Sequence, residues 1–263
     1  MASSRQLRAL ITNDDGIDSP GLHALAALAN DAGLDVVVAA PHEDASGVSA
    51  SVKAVRAPDG AVRLRQRVIP GLPDVEAYAV EAHPAFIVHA SGRGWLDPEP
   101  DIVLSGVNYG ANVGRAVLHS GTVGAALTAS LHGWRGLALS LDSGWEIPDR
   151  PHWDAVAHVF PQVLDLLLAA DAGTVLSVNV PDRPVAELGP LREAKLSSFG
   201  MVTITVRHHH DEVDASVLRA TAADLESEPE PDTDVALLGA GHPTVTRLTS
   251  VAAQPGVLHV AGV

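Results

Sequence analysis

The sequence predicts an α/β fold: a core with a mostly parallel sheet, followed by a β-rich C-terminal part. Short apolar runs that end in turn residues alternate with amphipathic helical stretches, the pattern of a layered α/β protein. The apolar share of 46% can fill a sizeable core. Beyond about Pro181 the alternation gives way to strand-like texture.

The elements follow in order. LRALIT (7–12) is a short apolar run ending in polar turn residues, which predicts a buried strand. A helix follows, with Ser19 as N-cap, Pro20 at its first position, Leu22, Leu25 and Leu28 on one face, and Gly33 as its stop. LDVVVAAP (34–41) is the next buried strand, completing a βαβ unit with a right-handed crossover. Residues 52–69 carry Pro58-Asp59-Gly60 between two partly alternating runs, which predicts an inserted β-hairpin. Then come a strand at 75–80, a helix at 83–94, a strand at 101–106, a helix of small residues at 121–133 and a strand at 136–141. Residues 152–173 predict a long amphipathic helix kinked at Pro161, and TVLSVNVP (174–181) the last core strand. Past it, 196–220 reads as an extended hairpin, 224–234 as an exposed acidic loop and 242–251 as a late strand. The division is a core at 1–181 and a β-rich segment at 182–263 packed on it.

Composition narrows the function. A formal charge of −15 argues against a broad basic face for a nucleic-acid polymer. A small phosphorylated substrate stays open, because a bound metal supplies local positive charge. With no cysteine, disulfides, zinc-thiolate sites and cysteine nucleophiles are excluded. Neither the N-terminal stretch nor VLDLLLAA is a signal peptide or a bilayer span, so the expectation is a cytoplasmic protein without membrane contact.

Chemistry in such a sheet gathers outside the carboxyl ends of the strands. Three loops stand there: Asn13-Asp14-Asp15-Gly16, the serine-rich PHEDASGVSAS (41–51), and the glycine- and asparagine-rich SGVNYGANVGRAVLHSGTVGAA (105–126). Taken singly, the first is a turn, the second a loop, and the third an anion site without P-loop spacing or a lysine. Together they supply oxygen donors for a hard divalent cation: the carboxylates of Asp14 and Asp15, the Ser46 hydroxyl and the Asn108 side-chain carbonyl. A cation between Asp14 and Asp15 offsets their mutual repulsion. Ser120, Gly121 and Thr122 then offer hydroxyls and amides to a phosphate beside the metal.

The stretches LITNDDGIDSPGLHAL, VVVAAPHEDASGVSAS and PDIVLSGVNYGANVGRAVLHSGTVGAALTAS resemble the SurE survival-protein family of nucleotidases, in order across most of the chain, and LSVNVP and DTDVALLGAGHPTVTRL fit its later part. The resemblance implies a Rossmann-like three-layer core and a metal-dependent phosphomonoesterase acting on nucleoside monophosphates or related small esters. By position, Asp14, Asp15, Ser46 and Asn108 match the ligands of one divalent ion per subunit, magnesium or manganese. Asn112, Ser120, Gly121 and Thr122 match the phosphate-side loop. Asp14 or Asp15 orients the attacking water or takes its proton, and His119, just before the loop, is either a proton donor to the phosphate or a pocket wall. The resemblance also implies a homodimer or homotetramer formed through the C-terminal segment.

This chain departs from the family around the pocket. EAHPAFI (81–87) stands where members often carry Gly-Thr-Pro-Ala-Asp-Cys, Ala116 and His119 stand where they usually carry Asp and Tyr, and Ala45 replaces an often basic residue. A phosphatase specialised for a secondary-metabolite ester, or a non-catalytic phospholigand binder on the same fold, are the alternatives. His208-His209-His210 lies in an alternating segment, so neighbours face opposite ways, against a metal site. Trp134, Trp145 and Trp153 read as packing residues.

Overall fold

The first strand, β1 (Arg8–Thr12), runs through the middle of the sheet, and its alternation sorts the core into two layers. Ala9 and Ile11 pack on one side and Leu10 on the other. The computed structural model describes residues 5–55, 57–144, 148–198, 203–210, 216–223 and 229–253.

After β1 come α1 (Pro20–Asp31), β2 (Asp35–Pro41), β3 (Leu64–Gln66), β4 (Glu76–Val80), α2 (Pro84–Ala90), β5 (Ile102–Tyr109), α3 (Gly121–Ser130), β6 (Arg135–Asp142), α4 (Trp153–Ala169) and β7 (Val175–Pro181). The second part adds β8 (Arg192–Glu193), β9 (Thr203–His210), β10 (Ser216–Ala223), α5 (Asp234–Gly239) and β11 (Thr244–Leu248). The main sheet has the order β3-β4-β2-β1-β5-β6-β7-β11-β8. Its six central strands, β4 to β7, are all parallel. In chain order they read 3-2-1-4-5-6, the doubly wound arrangement, with α1 and α4 against one face and α2 and α3 against the other. The order reverses between β1 and β5, the switch point at whose carboxyl edge such sheets bind ligands.

Local signals explain most boundaries. Pro20 opens α1, Leu22 and Leu25 are fully buried under it, and Gly33 follows it at φ +80°. Ser19 holds the N-cap position without a side-chain cap bond, and its hydroxyl is buried with no partner. The helix expected at 83–94 is regular only to Ala90 and continues as a wide turn over Ser91–Trp95. α4 passes through Pro161 as one helix; the residue lies on the exposed side, where a missing N–H costs least.

β5 outruns its expected end at Gly106 by three residues. Gly106 adopts φ +131°, and a Cβ there would lie 2.1 Å from the Leu139 carbonyl oxygen, so only glycine fits. A bulge between Gly106 and Asn108 shifts the register with β6 and re-aims the strand end that carries Asn108.

Residues 52–69 make the expected turn, with the Ala57 N–H donating to Ala61 and the Gly60 N–H to Ala57. The Ala57–Ala61 bond joins the two runs across that turn, and both runs also pair with the β4 region. β3 lies antiparallel to β4, and Ala54 bridges to Ala82. A two-stranded ribbon is marginal alone and gains by continuing a sheet edge.

In the second part, β9 and β10 form a separate antiparallel ribbon, as the extended hairpin predicts; its connection at 211–215 lies outside the described residues. β11 adds to β7 antiparallel. The expected loop at 224–234 is corrected at its end: Asp234 is buried and begins α5, with Thr233 as a side-chain N-cap for the Ala236 N–H. Residues 224–228, like Trp145, are outside the described set.

Candidate active site

Asp14 follows β1 directly and is 4% exposed. The Thr122 hydroxyl donates to its Oδ1 at 2.5 Å, and the Thr122 amide also favours its ionised form. The N-terminus of α3 thus faces a carboxylate, the charge a helix start prefers. Approach is so close that a Cβ on Gly121 would sit 2.6 Å from Asp14 Oδ2 and 2.9 Å from its Cβ. Ser120 caps α3 by accepting from the Val123 N–H at 3.0 Å. Ser120 and Thr122 therefore spend hydroxyl interactions on the scaffold, Ser120 on its own helix and Thr122 on Asp14, where the sequence suggested a phosphate.

Asp15 is partly buried, and its Oδ2 is buried without any hydrogen-bond partner. Burial first, then the neighbouring charges of Asp14 and Asp44, push its carboxyl up to about 7. Burial likewise pushes Asp14 above the usual carboxylate range, against the pull of Thr122. Two adjacent carboxylates in this state are unsatisfied in charge and in coordination.

The other two predicted ligands lie on the loop after β2 and at the end of β5. The Ala45 N–H donates to the Asp14 backbone oxygen at 2.7 Å, which pins the loop after β2 to the pair. The Ser46 N–H donates to Asp44 Oδ1 at 2.7 Å, and its side chain is exposed. Asn108 donates from Nδ2 to the carbonyls of Tyr109 and Gly110 at 2.9 and 2.8 Å, which leaves its Oδ1 free to accept a cation. No group of three or more His, Asp or Glu able to hold a metal occurs among the described residues. The donor set that fits is two carboxylates completed by a hydroxyl and an amide oxygen, all hard donors, with a buried Asp15 oxygen awaiting a partner.

Asn112 is drawn toward β6 and β7. Its N–H donates to Asn179 Oδ1 at 2.8 Å, its carbonyl accepts from Asn179 Nδ2 at 3.0 Å, and its own Nδ2 donates to Ser140 Oγ at 2.9 Å. It shapes the 110–119 loop as much as it lines it. His119 is exposed, and its carbonyl accepts from the Ser49 N–H at 3.3 Å.

Other residues that organise the site were not singled out from the sequence. Asn179 is 2% exposed in a strand that is apolar but for Ser177, and a buried Asn needs partners, which is the signal that marks it. Asp234 accepts from the N–H groups of Gly114, Ser197 and Val235 at 2.7, 2.9 and 2.9 Å, tying the second part of the chain to the site loop. Toward α4, Asp182 accepts at 2.8 Å from both the N–H and Nδ1 of His152. Beside it, the Tyr109 and Trp153 rings meet edge to face at 5.4 Å. Burial, Asp15 and Asp182 push the Tyr109 hydroxyl up.

A family described as "Survival protein SurE" matches residues 9–205, three quarters of the chain and every site residue above except Asp234. The chain belongs to the SurE family. The "5'-nucleotidase SurE" of Stenotrophomonas maltophilia strain R551-3 is 33% identical over 91% of this chain and 88% of its own length. The "5'-nucleotidase SurE" of Xanthomonas euvesicatoria is 38% identical over 67% of this chain, and the match spans 64% of that relative. The crystal structure of the SurE protein from Aquifex aeolicus superposes with a TM-score of 0.78 at 26% identity, covering 96% of this chain and 97% of that one. The doubly wound order is thus a SurE fold, with Asp14 and Asp15 at its switch point.

Two results are expected here. Asn179→Ala strips both backbone groups of Asn112 of their partners in a buried setting, so chemical denaturation should show a loss of about 2–4 kcal/mol. The second concerns pH. A carboxyl whose folded value is raised from 3.8 to about 7 favours folding most below 3.8, and that contribution is lost as pH climbs toward 7. In chelator, the wild-type chain should therefore lose stability relative to Asp15→Asn across that window, as read by Tm against pH. Burial lowers His83 and His132, which bends the curve the other way, so the difference between the two chains is the quantity to read.

Proposed function

We propose that this chain is a divalent-metal-dependent phosphomonoesterase that hydrolyses a nucleoside monophosphate or a related small phosphate ester. The observation that carries the reading is the pair of adjacent, largely buried carboxylates at the switch point, one with an unpartnered buried oxygen, beside the N-terminus of α3. The names of the relatives support the same chemistry.

Asp14, Asp15, Ser46 and Asn108 would hold the ion, magnesium or manganese. When bound, it supplies positive charge and Lewis acidity at the phosphoryl oxygens. Asp14, fixed by Thr122, keeps its charge in one place. Asp14 or Asp15 orients the attacking water and accepts its proton, and Asp15 has the free oxygen for this. Amides around Ser120 to Thr122 and the side chain of Asn112 face the equatorial oxygens. The exposed His119 lies within the same loop as a proton donor to the phosphate.

The reading extends to a cytoplasmic homodimer or homotetramer assembled through residues 182–263. It is supported by the lack, among the described residues, of any helix long and apolar enough to cross a membrane. It is also supported by an apolar groove of about 740 Å³ between α3 and β11 with Leu118, Leu131 and Val251 exposed along it. Light scattering after size exclusion reads the assembly. The activity test is p-nitrophenyl phosphate hydrolysis in chelator and after magnesium or manganese is restored. Turnover only with metal is the expected result, and no turnover in either condition leaves a phospholigand binder.

A further inference from the structure

A second cavity, of about 340 Å³, lies against the carboxylate site and shares Asp44, Ala45 and Ser46 with it. Its far wall is built from Lys53 to Val55 and Glu81 to His83, the segment in which this chain departs from its family's pattern. The wall is fixed by the sheet edge. The Val55 N–H donates to Glu81 at 2.8 Å, the His83 N–H to Lys53 at 2.9 Å and the His42 N–H to Val80 at 3.0 Å.

The cavity has the chemistry of a binding site. His83 lines the cavity, with its Nδ1 buried behind the wall and without a hydrogen bond. The Lys53 ammonium group, close enough to His83 to disfavour its protonation, makes no ion pair among the described residues. The Glu81 side chain is 18% exposed and meets Arg65 only at 3.9 Å. Lys53 and Glu81 thus stand at the cavity with little pairing inside the protein, open to an occupant that engages them. Among the described residues no Phe, Tyr or Trp lines it, so a purine ring finds no broad stacking face. Among the described residues, three carboxylates, of Glu43, Asp44 and Glu81, stand against one lysine, so a second anionic group is repelled.

We infer that this cavity holds the alcohol portion of the phosphate ester, and that its occupant is a compact polyhydroxylated group, an aminated sugar in preference to a carboxylated one or a purine nucleoside. The inference rests on the phosphomonoesterase reading, with the phosphate at the carboxylate pair and the leaving alcohol beyond Ser46. Glu81 and the acidic residues of the 42–44 loop attract the amine, while Lys53 and His83 bond the hydroxyls.

The test is kcat/KM on the metal-loaded protein for glucosamine 6-phosphate, glucose 6-phosphate, 6-phosphogluconate, AMP and p-nitrophenyl phosphate. Glucosamine 6-phosphate should exceed 6-phosphogluconate and AMP by about 10-fold or more, with glucose 6-phosphate between. In His83→Leu and Lys53→Met, the ratio of glucosamine 6-phosphate to p-nitrophenyl phosphate should fall by about 10-fold, because only the sugar ester uses the cavity. In Glu81→Gln, the preference for the amine over glucose 6-phosphate should narrow. Should a variant not fold, the wild-type ranking decides alone. The inference is overturned if AMP or 6-phosphogluconate is the best substrate, or if the ratios of folded variants stay within about two-fold of wild type. Because p-nitrophenyl phosphate makes little use of the cavity, its turnover survives a failure of this inference. Its absence with metal present would sink the phosphomonoesterase reading itself.

Discussion

Asp14→Asn and Asp15→Asn should each lower metal-dependent kcat/KM by on the order of 10³-fold or more while the fold persists. The substitution keeps size and one oxygen but removes the charge that a hard cation requires. The two positions differ in their secondary effects. Asp14 is held by Thr122 and pressed by Gly121, so Asn there also exchanges a charge-assisted hydrogen bond for a neutral one. Asp15 has an unpartnered buried oxygen and a carboxyl raised to about 7, so Asn relieves repulsion and should leave the metal-free chain as stable or more so at neutral pH. Calorimetric titration with manganese should show weakened binding in both, and circular dichroism should show an unchanged fold. Wild-type turnover in both variants with metal saturating would remove the carboxylate pair from the mechanism.

Gly121→Ala should have an effect nearly as large, and sequence alone does not lead one to expect it. A single methyl group would meet Asp14 Oδ2 at 2.6 Å, its Cβ at 2.9 Å and its Cγ at 3.0 Å. Asp14 has no room to retreat, since it is buried behind β1 and bonded to Thr122. Either α3 moves away or the carboxylate rotates out of position. Overpacking of this kind costs about 1–3 kcal/mol, and misplacing a catalytic group by about 1 Å can cost about 10²-fold in rate. The expected result is a fall of about 10²-fold in kcat with a lowered Tm. Thr122→Val separates the two causes, because it removes the hydroxyl bond without adding bulk at Gly121. A Gly121→Ala chain with wild-type kcat would mean that the helix start gives way freely.

The departures around the pocket bear on both results. Ala116 and His119 sit exposed on a short 3₁₀ turn, Gly114–His119, that leads into α3. Glu81 and His83 line the cavity beside Ser46. Changes at 81–83 should therefore alter which ester is cleaved far more than whether the carboxylate pair works.

The local pattern of the chain determined much. Apolar runs of five to eight residues that end in Asp, Asn, Ser or Gly mark strands and the edge where chemistry collects, since both the two-residue period of a strand and its turn signals are local. Asp14, Asp15, Ser46 and Asn108 were legible on that basis, as oxygen donors at strand ends. Glycines at helix starts and stops were legible for the same reason. Tertiary structure decided what depends on residues far apart in the chain. It set the order of strands that puts the switch point between β1 and β5, and it laid the 52–69 runs against β4 at the sheet edge. It gave Thr122 to Asp14 across 108 positions, Asn179 to Asn112 across 67 and Asp234 to Gly114 across 120. A buried polar group must find a partner, and its own sequence neighbourhood states that need, but which partner arrives is settled only when the sheet closes and brings remote segments to the same edge.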